Sequence, residues 1–556
     1  MEWCHKEFSE LVGILNTNPR FAAFCPDSAA EVSTEPDVLR ETAVRAAAAY
    51  RDGRFQDIAP IIESARSLFT VMPVPLFRLL LAARQLTNQE DRIAGDFLEL
   101  GCTAVDHGQY ETGAEAIGAA FVEDFAGALN LVYKPEQVRR GTDRYEVIAR
   151  HIEAIRPLTV DRKYGDRMRI GMLVSNLVDN VVAYTKRVLD FSRYLDFRKY
   201  DLRVYSTENM CNRARSLPCR HMADSSEKWG GRSLTLLRER NIPVYLAKRT
   251  VPILDAAHDV ASQIVSDGID VLILQAGPTM PIDWLAARLA DVPVKIHIHI
   301  GIPLYQRGVD VTLFDNKVNM DRERLSWPPY AGDTRLMRQG TDLESLDRQD
   351  ALERGQLGLT SDDLVIGVLS NHLDSRLSRE YLDVITAVMK DYPQTRFVPV
   401  GGRKLPDKAS EHFRLAGVEK QVIHISTQNE VGKILKVLDI FAAEFPVSGS
   451  QSVVEAMACG IPVVAMRSSN THVGSTAVDI MGPDYEIGHN DPDAYRMRLV
   501  EWITNADARR AAGTAMRMRA EQELSIEKYV GKVCRLAENV LQQKQQKQEL
   551  AAPCAV

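Results

Sequence analysis

The segment Glu444–Met466, E-F-P-V-S-G-S-Q-S-V-V-E-A-M-A-C-G-I-P-V-V-A-M, constrains this chain more than any other. The apolar run Val437–Ala443 before it reads as a buried strand. A loop of small polar residues (Ser448, Gly449, Ser450, Gln451, Ser452) then opens directly into a helix that carries Glu455 one turn in and stops at Gly460. Pro462 and a second apolar strand, Val463–Met466, follow, which makes the whole a βαβ unit of a parallel sheet. A helix N-terminus holds unpaired N–H groups and a partial positive charge. With Gly and Ser letting the backbone approach closely, it forms an anion site suited to a diphosphate. Glu455 is placed to hydrogen-bond a ribose hydroxyl, as acidic residues do in other nucleotide-binding α/β folds. An ordinary βαβ unit whose Gly/Ser loop only turns the chain carries the same pattern, so the segment alone leaves both readings open.

A chain of 556 residues exceeds a single core and predicts two to four domains. Residues 1 to about 160 show apolar spacing of three to four, as in Leu39–Tyr50, Ile58–Phe69 and Leu76–Ala83, and predict an all-helical domain. The segments A-A-A-A-Y-R-D-G-R-F-Q-D-I-A and C-T-A-V-D-H-G-Q-Y-E-T-G-A are similar to the turn of a tetratricopeptide helix pair, but their spacing does not fit that repeat. From Arg169 strands and helices alternate: R-I-G-M-L-V-S-N, Asp201–Ser206, Asn241–Leu246, Asp270–Leu274, Val294–Ile300 and Val309–Phe314 read as strands, with helices between them. The polar, Pro-containing stretch Asp321–Gly340 reads as a connection between domains. A second alternation follows, through Leu364–Leu369, Arg396–Val400 and Val422–Ile425 to the motif segment, and a last helix runs from Ile526 to about Gln546.

A formal charge of −7 gives no electrostatic footprint for nucleic acid. No apolar run reaches the roughly 18 residues that span a bilayer, and the start M-E-W-C-H-K-E-F lacks a signal-peptide pattern. The scattered cysteines predict reduced thiols in a cytoplasm. Cys211, Cys219 and His221 form the single cluster, and without a paired C-x-x-C they read as a surface loop rather than a zinc site.

The E-A-M-A-C-G-I-P-V-V string resembles the donor-binding segment of nucleotide-sugar glycosyltransferases of the GT-B architecture. Further segments are similar, in order, to the O-linked N-acetylglucosamine transferase family and its bacterial protein-glycosylating relatives. These are D-G-I-D-V-L-I-L-Q-A-G, A-R-L-A-D-V-P-V-K-I-H-I-H-I-G-I-P, V-D-V-T-L-F-D-N-K-V and L-S-N-H-L-D-S-R-L-S-R-E. The resemblance runs over roughly residues 168–520 and implies an α/β fold of two Rossmann-like domains facing a cleft, with the N-terminal all-helical domain in front. The expected division is 1–160 helical, 165–330 the acceptor-side domain, 335–525 the nucleotide-sugar domain, and 526–556 a C-terminal helix and tail. The implied activity is transfer of a sugar from a nucleotide-diphosphate sugar, a UDP-sugar foremost, to a protein side chain. A surface polysaccharide or lipid-linked glycan acceptor, and a catalytically silent partner subunit of another glycosyltransferase, are the alternatives.

Departing diphosphate needs charge stabilisation. Ser450, Gln451 and Ser452 at the helix start, with Arg376 in the position where the family carries Lys, supply it without a metal or other cofactor. Arg379 is a second cation. Gly401–Lys404 follows a strand at the ligand end of the sheet and reads either as a donor contact through Gly402 or as a turn with basic surface residues, while the resemblance implies that the loop Ser426–Lys433, with Thr427, meets the base. Acceptor activation needs a base. His297 and His299 share one face of a strand that ends at Gly301, and His299 lies nearer that end; a packed sheet histidine is the competing reading, and His372 is a third option. The family's His after the opening strand is absent, Asn180–Val182 standing there, while Asp179 and Tyr184–Lys186 are expected on the acceptor side. Retaining families carry a second acid eight positions before the first; Val447 stands there, with Glu444 three residues further upstream, so stereochemistry stays open. The helical domain is expected to recruit the acceptor, a partner protein or a second copy of the chain. The competing expectation is that it only covers apolar surface of the core.

Overall fold

The computed structural model describes residues 36–127, 134–159, 165–179, 183–208, 226, 231–248, 251–275, 277–299, 303–467 and 477–551. The Cys211, Cys219 and His221 group, Asn180–Val182 and Gly301 lie outside the described residues. Among the described residues no group of three or more His, Cys, Asp or Glu could hold a metal ion, and no helix is long and apolar enough to cross a membrane.

Two parallel sheets organise the chain, as expected for runs of short apolar strands alternating with helices. The first contains β1 (Met168–Val174), β2 (Tyr200–Ser206), β3 (Val244–Leu246), β4 (Val271–Leu274), β5 (Val294–Ile298), β6 (Val311–Phe314) and β7 (Asp333–Leu336), in the order β3-β2-β1-β4-β5-β6-β7. The second contains β8 (Leu364–Leu369), β9 (Thr395–Val400), β10 (Ile440–Ala442) and β11 (Val463–Val464), in the order β11-β10-β8-β9. Each sheet has helices on both faces, and the two domains with their helical N-terminal region form a GT-B fold.

Three details differ from the sequence-based expectation. The stretch Asp321–Gly340 is not a plain connection: the helix Lys317–Arg324 runs into it, and β7 pairs with β6 as the edge of the first sheet. Its D-T-R-L sequence is polar because an edge strand faces water on one side, so the first domain continues past residue 330. Val422–Ile425 makes only single bridges from Val422 to Phe397 and from Ile425 to Val400, rather than a full strand. The helix Ile526–Ala551 packs on the first sheet, not apart from it: Val530, Val533 and Leu536 share a core with Ile170, Met172 and Val204.

The chain therefore crosses between domains twice, and the crossings lie side by side. Thr341 N donates to Leu524 O at 2.9 Å, and Ile526 N donates to Thr341 O at 3.0 Å. Gly340 permits this approach: a Cβ there would stand 2.5 Å from the carbonyl carbon of Ser525.

The helical region is built of paired helices. Pro36–Arg51 turns through R-D-G-R into Phe55–Ser64, and Ile93–Asp106 turns through D-H-G-Q into Tyr110–Gly127. It has no separate core. Its buried side chains, Phe77, Phe97, Phe121 and Tyr145 among them, join those of the helices Ile253–Ser266 and Pro281–Leu289 that cover the first sheet. Tyr145 packs on Trp284 with ring centroids 5.4 Å apart and donates its hydroxyl to Pro278 O at 2.9 Å. Glu111 accepts hydrogen bonds from the N–H groups of Ile253 and Leu254, closing the start of the first of those helices across the boundary.

Candidate functional site

The C-terminal ends of β10, β8 and β9 lie in a row at one edge of the second sheet, where α/β folds place their ligands. From β10 the chain passes through the buried Ala443 and Glu444 to Gly449, which precedes the helix Ser450–Ala458. The loop is fastened from behind: Tyr381 and Tyr495 donate to Ala442 O and Ala443 O, both at 2.9 Å, and Ser378 donates to Phe445 O at 2.8 Å. No side chain caps the helix from Gly449, the helix start that the sequence reads as an anion site.

Arg376 lies over that opening. It ends the short helix Leu373–Arg376 after β8, and a Cβ built on Gly449 would meet its Nη1 at 2.8 Å and Ser452 Oγ at 3.0 Å. Arg376, Ser450 and Ser452 are therefore brought together at one helix start, as the sequence expects. Glu444 is the acid behind them: fully buried, its Oε1 stands 3.6 Å from Arg376 Nη1. Burial raises the Glu444 pKa, and the Arg376 charge works against that rise.

Beside Arg376, Gly401 and Gly402 turn the chain after β9. Gly401 lies so close to the Ser370 carbonyl that no side chain fits, and its own φ of 139° is outside the range of other residues. Gly402 O accepts from Thr427 N at 3.1 Å, so these two residues form one rim of the edge. His424 lies next to them, with Nε2 2.8 Å from Gly401 O.

The first domain closes onto the same helix. Ser450 Oγ donates to Asp315 Oδ2 at 2.9 Å, and Asp315 follows β6 at its C-terminal end. Burial raises the Asp315 pKa. Glu455 receives Lys186 Nζ from the first domain and Gln451 Nε2, at 3.2 Å, from its own helix. Behind this seam Arg187 lies over the Tyr529 ring, 5.0 Å from its centroid, with Asp190 3.9 Å away; burial pushes Asp190 up to about 6.

Other expected residues take structural places. His299 is 3% exposed and stacks on Phe314 with centroids 4.5 Å apart; burial, then the neighbouring His297, holds its pKa well below the ordinary value. It is packed within the sheet, the competing reading of this residue. Asp179 caps the helix Gly231–Glu239, accepting from Arg232 N and Ser233 N at 2.7 Å each, instead of lining the cleft. Tyr184 is buried and donates to Asn176 Oδ1 at 2.8 Å. Arg379 and His372 are exposed, the latter beside the helix that carries Arg376.

A buried acid sits under the cleft edge of the first domain. Asp283 accepts hydrogen bonds from Ser175, at 2.6 Å, and Thr207, and burial pushes its pKa to about 7. The folded chain thus holds this proton more tightly than the unfolded chain, where aspartate titrates near ~4. Its contribution to stability is complete below about pH 4 and is lost as pH rises through about 7. Asp283→Asn is expected to flatten the stability difference across that range; urea melts of both proteins at several pH values check it, and parallel pH slopes would contradict it.

Residues 365–505 match the glycosyl transferases group 1 family, a span that contains Arg376, Gly402, Thr427 and the whole Ser450–Ala458 helix. No curated protein matches the chain. Among solved structures, a glycosyltransferase from Rickettsia africae is similar at a TM-score of 0.52 and 13% identity, covering 68% of this chain and 99% of its own. HepE of Anabaena, in complex with UDP and glucose, is similar at 0.51 and 14%, covering 67% and 100%. A Thermobaculum terrenum O-GlcNAc transferase variant is similar at 0.50 and 14%, covering 92% and 98%, which takes in the helical region. The likenesses establish the fold. With the family match over the donor-side domain, they support a glycosyltransferase.

Proposed function

We propose that this glycosyltransferase takes its sugar from a nucleotide-diphosphate sugar, a UDP-sugar foremost, held by the second domain without a metal, and passes it to a protein side chain entering from the first-domain side. One observation carries the donor reading: an uncapped helix start faced by an arginine and the Ser452 hydroxyl. As the bond from the sugar's anomeric carbon to the diphosphate oxygen breaks, negative charge grows on the diphosphate. Helix N–H groups, Ser452 and Arg376 would meet that charge as it develops, while Ser450 would have to turn from Asp315 to join them. Glu455 accepts from the ribose, and the Gly402–Thr427 rim meets the base through backbone groups. The acceptor reading rests on the sequence resemblance to protein-glycosylating transferases.

Arg376 acts on the leaving group, so Arg376→Ala is expected to lower kcat by on the order of 10²-fold while donor affinity changes far less. Arg376→Lys keeps a cation above Glu444 and separates loss of charge from loss of the fork. Steady-state kinetics beside calorimetric donor affinity check this. Equal losses in kcat and affinity, or an unchanged kcat, would remove Arg376 from the leaving-group role.

A further inference from the structure

Resting on the ribose reading of Glu455, we infer that Lys186 of the first domain is the positioning residue that completes the ribose site of the second. Glu455 is nearly inaccessible, its side chain 7% exposed, whereas Lys186 is 35% exposed and reaches across the seam to it. Taking a carboxylate this far out of water is costly without a cation beside it, and ribose hydroxyls carry no charge to serve that purpose. Lys186 is that cation. Its Nζ also donates to Thr341 Oγ1 at 3.3 Å, on the segment where the two interdomain crossings pair, so the ammonium is fixed at the hinge rather than free in the cleft.

The geometry separates the two oxygens of Glu455. Lys186 and Gln451 both donate to Oε1. Oε2 is left to accept a ribose hydroxyl, in an orientation set from the other domain. Selection for ribose over deoxyribose is then a property of the closed pair of domains, not of the second domain alone.

The test uses the full chain in Lys186→Met and Lys186→Arg forms. Uridine, guanosine and adenosine diphosphates are screened by thermal shift, and the best binder is titrated calorimetrically beside its 2′,3′-dideoxy analogue. Lys186→Met is expected to weaken the ribonucleotide about tenfold and leave the dideoxy analogue nearly unchanged, so the preference for ribose shrinks; Lys186→Arg restores it. Equal weakening of both nucleotides, as contact with the diphosphate or plain domain docking gives, would overturn the inference, as would no weakening. Glu455→Ala run in parallel distinguishes the two levels. If that variant keeps the full ribose preference, the ribose reading itself fails; if it loses the preference while Lys186→Met keeps it, only the role of Lys186 fails. No binding of any of the three diphosphates would remove both.

Discussion

A chain lacking residues 1–160 is expected to be insoluble rather than a smaller working enzyme. The helices Ile253–Ser266 and Pro281–Leu289 bury one face on the first sheet and another on the helical region. Ile282, Trp284 and Leu285 are essentially inaccessible, and Tyr145 supplies both a ring against Trp284 and a hydroxyl to Pro278 O. Each large apolar side chain moved back into water costs about 1.5–3 kcal/mol. A few of them exhaust the roughly 5–15 kcal/mol by which a domain is stable. The cut also removes Glu111 from the start of the helix Ile253–Ser266 and Glu146 from Arg288. Expression of residues 165–556, with soluble yield and far-UV circular dichroism, checks this. A soluble truncated chain that still binds a nucleoside diphosphate would contradict it and return the helical region to a purely recruiting role.

Glu455→Ala is expected to weaken nucleoside diphosphate binding by about 1–3 kcal/mol, the cost of leaving hydroxyl partners and the Lys186 cation without their acceptor. Two effects combine here. The ribose loses its carboxylate, and Lys186 loses the charge that draws it across the seam. Glu455→Gln separates them: it keeps an oxygen for a hydroxyl but no charge for Lys186, and should fall between wild type and Glu455→Ala. Calorimetric affinities for the three proteins, each shown to be folded, decide the order. Wild-type affinity in a folded Glu455→Ala protein would move the ribose site elsewhere.

What the sequence makes legible here follows from how local the cause is. The helix start at Ser450, its stop at Gly460 and the flanking strands are written in neighbouring residues, and they form, the strands shorter than read, at Ile440–Ala442 and Val463–Val464. Asp491 is equally local in cause: it accepts from Ala494 N at 2.8 Å three residues on, with Pro492 opening the helix. Arg376 is legible through its place after β8, but the buried Glu444 beneath it is not, because the two acids are identified by a spacing that this chain does not keep. Asp315 escapes a linear reading altogether, and Lys186 is read only as an acceptor-side residue, not as a partner of Glu455. Each is an ordinary polar residue at the end of a strand or on a helix, and only the closing of one domain on the other brings it to Ser450 or Glu455. The one local hint for Asp315 is its position after an apolar strand, at the edge where such sheets bind ligands. His299 fails for the opposite reason. Alternation along β5 fixes which face it shares with His297, but not whether that face opens to the cleft or packs on Phe314. The shared core of the helical region is likewise invisible in helical spacing, which shows that a helix has an apolar face but not what covers it.

The donor site at the Ser450–Ala458 helix is tested most directly by titrating uridine, guanosine and adenosine diphosphates into the chelator-treated full chain. One of them should bind once per chain, with an affinity that added magnesium or manganese leaves unchanged and that Glu455→Ala lowers by about 5- to 150-fold. Binding that appears only when a divalent metal is supplied, or that is as tight in Glu455→Ala as in the wild type, would contradict a metal-free diphosphate held at this helix.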